Sequence, residues 1–281
     1  MWQAGLIDAA RVAGVTALAM LLGAAVLHLL PRLGAWGRSL SARMTEAPGL
    51  DVWITYFTVL PLIVGPVWAG WWGLLGAVVG QVAAVLVWTA LHELAHPEAR
   101  RGPRIVKVLN AKVGAARNLA AVWVTAVVLP MFWVVRVAEL TVYPCLIALV
   151  GLPRYRHAEW VNVSRHKFTG LVGHDLIWCL YCDWMTGVWS LGSEMLRNVE
   201  SFWCPIRFAS DKKCQRCRVD FPDIDDGWVR ADGSMHEVAQ LLEQKHNEHH
   251  GWFGHPARLT VEGEPVETSE KDEQPTSHDA L

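Results

Sequence analysis

Residues 52–91 read VWITYFTVLPLIVGPVWAGWWGLLGAVVGQVAAVLVWTAL and contain no charged side chain. A bilayer's hydrocarbon core is crossed by about 20 apolar helical residues, so this run holds two crossings. The turn between them is expected at residues 70–73, where AGWWG brings two glycines to the middle of the run, and Pro61 and Pro66 should kink the first crossing.

Outward from this pair, the run 12–30 is also apolar and long enough to span; Pro31 closes it, and Arg32, Arg38 and Arg43 follow. On the other side, residues 98–117 carry Arg100, Arg101, Arg104, Lys107, Lys112 and Arg117. Two basic segments that flank a two-span hairpin lie on one side of the membrane. Excess Lys and Arg assigns that side to the cytoplasm and puts the N-terminus outside the cell (inner) membrane. The first residues, MWQAGLIDAAR, lack a basic leader, so no cleaved signal peptide is expected.

The bulk composition agrees. The chain has 281 residues, 52% of them hydrophobic, with 16 tryptophans and a net charge of −2. That hydrophobic share exceeds what soluble domains use, and a near-neutral chain has no footprint for nucleic acid. Many tryptophans near the ends of apolar runs match membrane-interface belts.

A further apolar run starts at Asn118, meets Arg136 and Glu139, and continues to Pro153 with Pro144 inside. One helix of that length exceeds a bilayer. A break over residues 139–144 and a short return segment are therefore expected, with Cys145 in the core. Arg136 and Glu139 stand three apart and are expected to pair.

From His174 the sequence runs HDLIWCLYCDWMTGVWSLGSEMLRNVESFW. At helical spacing, Asp175, Cys179, Cys182, Asp183, Thr186, Ser190, Ser193, Glu194, Arg197 and Ser201 fall on one stripe, and the rest is bulky and apolar. This predicts an amphipathic helix, partly embedded at the cytoplasmic face. Ser234 with Glu237 predicts a capping box that starts a short helix. ARLTVEG (257–263) suggests a strand, and the polar residues 262–281 a disordered acidic tail.

Two groups of residues carry chemistry. Five of the six cysteines lie between residues 179 and 217. Cys179 and Cys182 form one C-x-x-C pair, Cys214 and Cys217 a second, and Cys204 stands between. Two such pairs suit a tetrahedral four-thiolate zinc site, or an iron–sulfur cluster. Alternatively Cys204, Cys214 and Cys217 close a site with a histidine such as His236, which leaves Cys179 and Cys182 as a redox or ion-handling dithiol. The plain alternative is unliganded thiols in a reducing cytoplasm.

The second group is His92-Glu93-Leu94-Ala95-His96. Histidines four apart share a helix face and can hold one metal, with Glu93 as general base on a bound water. The five residues resemble the HExxH motif of zinc metallopeptidases and the first histidine box, HxxxH, of membrane alkane hydroxylases and fatty-acid desaturases. The second resemblance implies iron, more histidine ligands (His157, His166, His174 and the HxxHH at residues 246–250), and a cysteine electron-transfer centre of iron–sulfur or rubredoxin-like type. The plain alternative is a polar helix end with histidines at the negative dipole pole.

The expectation is thus an all-α membrane bundle of about five spans by the length rule. It divides into transmembrane helices over 1–153, a juxtamembrane amphipathic region over 154–203, a Cys/His-rich module over 204–261 and a tail over 262–281. The expected function is an integral membrane metalloprotein with a cytoplasmic zinc-like site. As an enzyme it would be a hydrolase or oxidoreductase acting on a membrane protein or lipid; otherwise it would serve metal handling or assembly.

Overall fold

The computed structural model describes residues 2–213 and 228–245. Among these the chain is all-helical, with no strand and two isolated bridges. Contacts divide the chain into two compact units, residues 1–138 with 155–192, and residues 139–154 with 193–281.

The first unit is built on α1 (Trp2–Leu29), α2 (Gly34–Arg43) and α3 (Gly49–Ala95). α3 is not straight. Its backbone leaves helical geometry at Ala69 and at Gly70, which takes φ 56°. A left-handed φ is cheap only for glycine, so Gly70 is what lets the chain reverse there. The reversal is complete: a Cβ on Gly65 would strike Gly73 and the converse, and Gln81 Nε2 donates to the carbonyls of Phe57 (2.9 Å) and Thr58 (2.8 Å). The uncharged run is therefore a helical hairpin, as its length requires.

α1 packs against both arms. Trp2 meets Trp72 edge-on at 5.4 Å, a Cβ on Gly76 would strike the Ala9 carbonyl, and one on Gly80 would press on Ala13 and Thr16. Numbers rise together, so α1 runs parallel to the second arm. Tyr56 Oη donates to the Ala19 carbonyl at 2.6 Å and ties α1 to the first arm. Lipid-facing helices gain nothing from burying apolar surface against one another, so association rests on backbones that approach closely at small residues. Gly73, Gly76, Ala77, Gly80 and Ala84 are all buried, while Leu18 and Val67 face outward. Trp2, Trp71 and Trp72 gather at the hairpin tip. The basic segments after Leu29 and after Ala95 both fall at the opposite end.

Beyond α3 come α4 (Pro97–Arg101), α5 (Ile105–Val113), α6 (Ala115–Ala126) and α7 (Leu129–Val150). The expected break over 139–144 is not there; α7 runs through Glu139 and Pro144. The interruption falls at Val127 and Val128, because Pro130 has no N–H to offer the Ala126 carbonyl and fits best in a helix's first turn, where it sits at the start of α7. The helix stays closed around Pro144, at the loss of a single backbone hydrogen bond. Among the described residues, three helices are long and apolar enough to cross a membrane, at Trp2–Arg32, Gly49–Ala95 and Ala115–Val150, and the return segment that made up the expected five is absorbed into α7. Cys145 is exposed on α7 rather than in the core.

α8 (His157–Trp160) precedes α9 (His174–Trp203), the expected amphipathic helix. Its start meets the end of the second arm, through Asp175 and the Glu93 region. Further along, a Cβ on Gly187 would strike the Trp160 carbonyl, and Val161 accepts a hydrogen bond from Ala47 N–H at 2.9 Å, just before the first arm begins. This part of α9 thus lies across the basic end of the bundle. Trp184, fully buried, packs on Trp133 at 5.4 Å, and Tyr181 Oη donates to the Thr125 carbonyl at 3.1 Å, so residues 123–133 track along the same helix.

In the second unit, Ser201 accepts a hydrogen bond from Trp228 Nε1 at 2.9 Å, and the Arg197 guanidinium lies 5.1 Å from the Trp228 ring. α10 (Met235–Lys245) begins with the expected capping box: Glu237 N–H donates to Ser234 Oγ, and Ser234 N–H returns a bond to the Glu237 carboxylate.

Close approach at Gly76 makes a clear prediction. Gly76→Leu should lower unfolding stability in detergent by about 1–3 kcal/mol through overpacking, whereas Gly14→Leu, with nothing within 4 Å of its Cβ, should be near neutral. Thermal unfolding of the two variants checks it.

Candidate functional site

His92 and Glu93 lie in the last turn of α3 and His96 directly follows its end, where the helix meets α9. Between the two elements stands Arg104. Its Nη2 donates to Glu93 Oε1 at 2.9 Å, its Nε to Asp175 Oδ2 at 2.7 Å, and Nη2 also reaches the Val172 carbonyl at 3.1 Å. The Arg104 and Asp175 side chains are 3% and 4% exposed, so this ion pair is out of water. Asp175 Oδ1 also accepts the backbone N–H of Val106 at 3.0 Å. Burial opposes ionisation of Asp175, but the His174 side chain, the Arg104 hydrogen bond and charge, and the Val106 N–H together outweigh it and hold the carboxyl below its ordinary value.

The turn into α9 is shaped for this contact. Gly173 takes φ 53°, and a Cβ there would collide with the Glu93 side chain. Its N–H donates to His92 Nδ1 at 3.2 Å, and His174 N–H points at Glu93 Oε1 at 3.4 Å. His96 Nδ1 donates to the His92 carbonyl at 2.9 Å. The His92 and His96 rings stack with centroids 4.4 Å apart, and His92 stacks on Trp88 at 4.8 Å.

These residues do not fit a catalytic zinc. Imidazole lone pairs lie in the ring plane, so face-to-face rings do not aim two nitrogens at one ion. Among the described residues, no group of three or more His, Cys, Asp or Glu is placed to hold a metal. Glu93 is neutralised by Arg104, with Arg100 3.9 Å away, and a carboxylate so held is a poor proton acceptor. In this structure the HExxH segment is a docking surface for the start of α9.

Comparison with models of known protein families, with curated proteins and with solved structures finds no match for this chain. The site has to be read from its own geometry.

A second buried network is centred on Arg136. Arg136, fully buried, sends Nε to Asp51 Oδ1 at 3.0 Å and Nη2 to Asp51 Oδ2 at 2.6 Å, a bidentate fork, and Nη1 to His157 Nδ1 at 2.9 Å. Asp51, the carboxylate that takes the fork, lies 85 residues upstream on α3, a partner that the local spacing of Arg136 and Glu139 gave no sign of. Burial, and then the Arg136 charge, push the His157 imidazole below its ordinary value.

The thiols sit elsewhere on α9. Cys179 and Cys182 are unpaired; Cys182 is exposed and Cys179 half-buried. Beside them Asp183 Oδ2 accepts the backbone N–H groups of Ser164 (2.7 Å) and Arg165 (3.0 Å), which holds that loop against the helix. The Arg165 guanidinium comes close enough for Cys182, and more weakly Cys179, to favour its charged form. Burial pushes the Cys179 thiol up, so it keeps its proton at neutral pH. Cys204 is exposed just past the end of α9. Cys214, Cys217, the HxxHH histidines, the ARLTVEG strand and the tail lie outside the described residues.

Arg104 and Gly173 are the functional residues that sequence reading missed. Arg104 looked like one of several loop cations. Gly173 carried a weak signal, as a glycine directly before a long helix.

His157 sets a pH dependence. Its folded value lies below the unfolded 6.5, so the folded state resists taking the proton that the unfolded state accepts. The contribution is full above 6.5 and is lost as pH falls below it toward the folded value. Unfolding midpoints measured against pH should therefore drop over that window in the native chain, and His157→Gln should flatten the drop.

Proposed function

We propose that this is an integral membrane metal-handling protein that presents the Cys179–Cys182 pair at the cytoplasmic surface of the inner membrane to a thiophilic ion such as zinc. The observation that carries the reading is the position of the pair. Two free thiols one turn apart sit on the open edge of a helix that lies across the basic end of the bundle, next to a guanidinium. Buried structural cysteines behave as small hydrophobes; these do not. An ion that binds would displace the thiol protons outright.

Two thiolates fill half of a tetrahedral shell. Spacing alone assigns the other half to Cys214 and Cys217, with Cys204 close in sequence. Orientation follows from charge: both basic segments leave the same end of the α1–α3 bundle, which supports a cytoplasmic thiol pair and an N-terminus outside. The peptidase and di-iron readings draw less support, since Glu93 is bound to Arg104 and His157 to Arg136.

Elemental analysis of the purified chain tests the proposal. About one zinc per chain is expected from a four-thiolate site, falling to background in Cys179→Ser/Cys182→Ser. Iron with visible absorption would move the site to an iron–sulfur centre. Metal-free protein, or zinc retained in the double variant, would overturn it.

A further inference from the structure

We infer that the basic pocket between the end of α3 and the start of α5 is a binding site for the headgroup of an anionic phospholipid. The inference rests on the reading of α1 and α3 as membrane spans and is independent of the thiol proposal.

The pocket has a volume of about 540 Å³ and is lined by Glu93, Arg100, Arg101, Arg104 and Lys107, among others. Its charges are not balanced internally. Arg104 is committed to Glu93 and Asp175. Lys107 Nζ sits on the carbonyl of Arg100 at 2.9 Å. Arg100 is 3.9 Å from Glu93 with its side chain 54% exposed, and Arg101 is exposed with no acidic partner among the described residues. Four cations face two carboxylates here, and Glu98, the other carboxylate of this segment, does not line the pocket. Clustered guanidinium groups with spare donors match a phosphate, whose oxygens accept forked hydrogen bonds.

The surroundings select a lipid over a free anion. α5 buries none of its residues. Ile105, Val108, Leu109 and Val113 share one helical face and are exposed, as is Leu94 on the last turn of α3. An exposed, mostly apolar helix face with Lys112 as its charged member and Lys107 on the opposite side, following a helix apolar enough to span, is the pattern of an element that lies in the headgroup region. A phosphate seated at Arg100 and Arg101 would have its acyl chains beside that face. Water offers the face nothing, whereas lipid chains cover it.

The test uses the full chain in neutral detergent, titrated with dioleoylphosphatidylglycerol, dioleoylphosphatidylcholine or inorganic phosphate and read by native mass spectrometry and by the unfolding midpoint. Phosphatidylglycerol should bind, raise the midpoint and survive excess inorganic phosphate, with phosphatidylcholine at least about tenfold weaker; Arg100→Gln/Arg101→Gln should weaken phosphatidylglycerol roughly 10- to 30-fold. Arg100→Lys/Arg101→Lys should keep most of the binding, and this variant decides the matter should the glutamine variant not fold. Equal binding of the two lipids, displacement by inorganic phosphate, or full binding by the glutamine variant would overturn the site.

Discussion

A buried arginine with two carboxylates organises the basic end of this protein. Arg104 cannot shed its charge and is almost wholly out of water, so its desolvation has to be offset by fixed partners, and the chain supplies Glu93 from one helix and Asp175 from another. That requirement fixes the start of α9 against the end of the hairpin. It also explains Gly173, whose positive φ and missing Cβ let the loop pass over the Glu93 side chain. With its start held there and Gly187 seated on Trp160 and Val161, residues 174–192 of α9 lie across both arms. The orientation of its polar edge, and so the exposure of Cys182, follows from that placement.

The bundle above it obeys a different rule. There the close contacts are carbonyl against glycine, at Gly65 with Gly73 and at Gly76 with Ala9, the packing suited to helices apolar enough to cross a membrane, which in lipid gain from proximity and not from dehydration. The bidentate Arg136–Asp51 pair is the polar counterpart, and it ties the first turns of α3 to α7.

Much of this was legible in the sequence where the controlling physics is local. The length of the uncharged run and one glycine gave the hairpin; charge clusters gave the shared end; a period of 3.6 gave the polar stripe of α9; Ser234 and Glu237 gave a helix start. What escaped depends on distant partners. No short-range rule links Arg104 to a carboxylate 71 residues away, or Arg136 to one on α3. The helix break was misplaced for a related reason. Pro144 and Glu139 look disruptive in isolation, yet the backbone of an apolar helix stays closed around them, and Pro130 breaks the ladder instead. His92, Glu93 and His96 illustrate the limit of motif reading, because residue types that can hold a metal can equally take a helix end, a backbone N–H and an arginine.

The central claim is that Arg104 and Asp175 act as one buried unit that seats α9. A double-mutant cycle on unfolding in mixed micelles tests it most directly, with Arg104→Met, Asp175→Asn and the pair. Each single change should remove about 3–5 kcal/mol, since it strands a buried charge, and the double variant should lose little more than either alone. Single effects that add to within about 0.5 kcal/mol would show two independent residues and contradict the account.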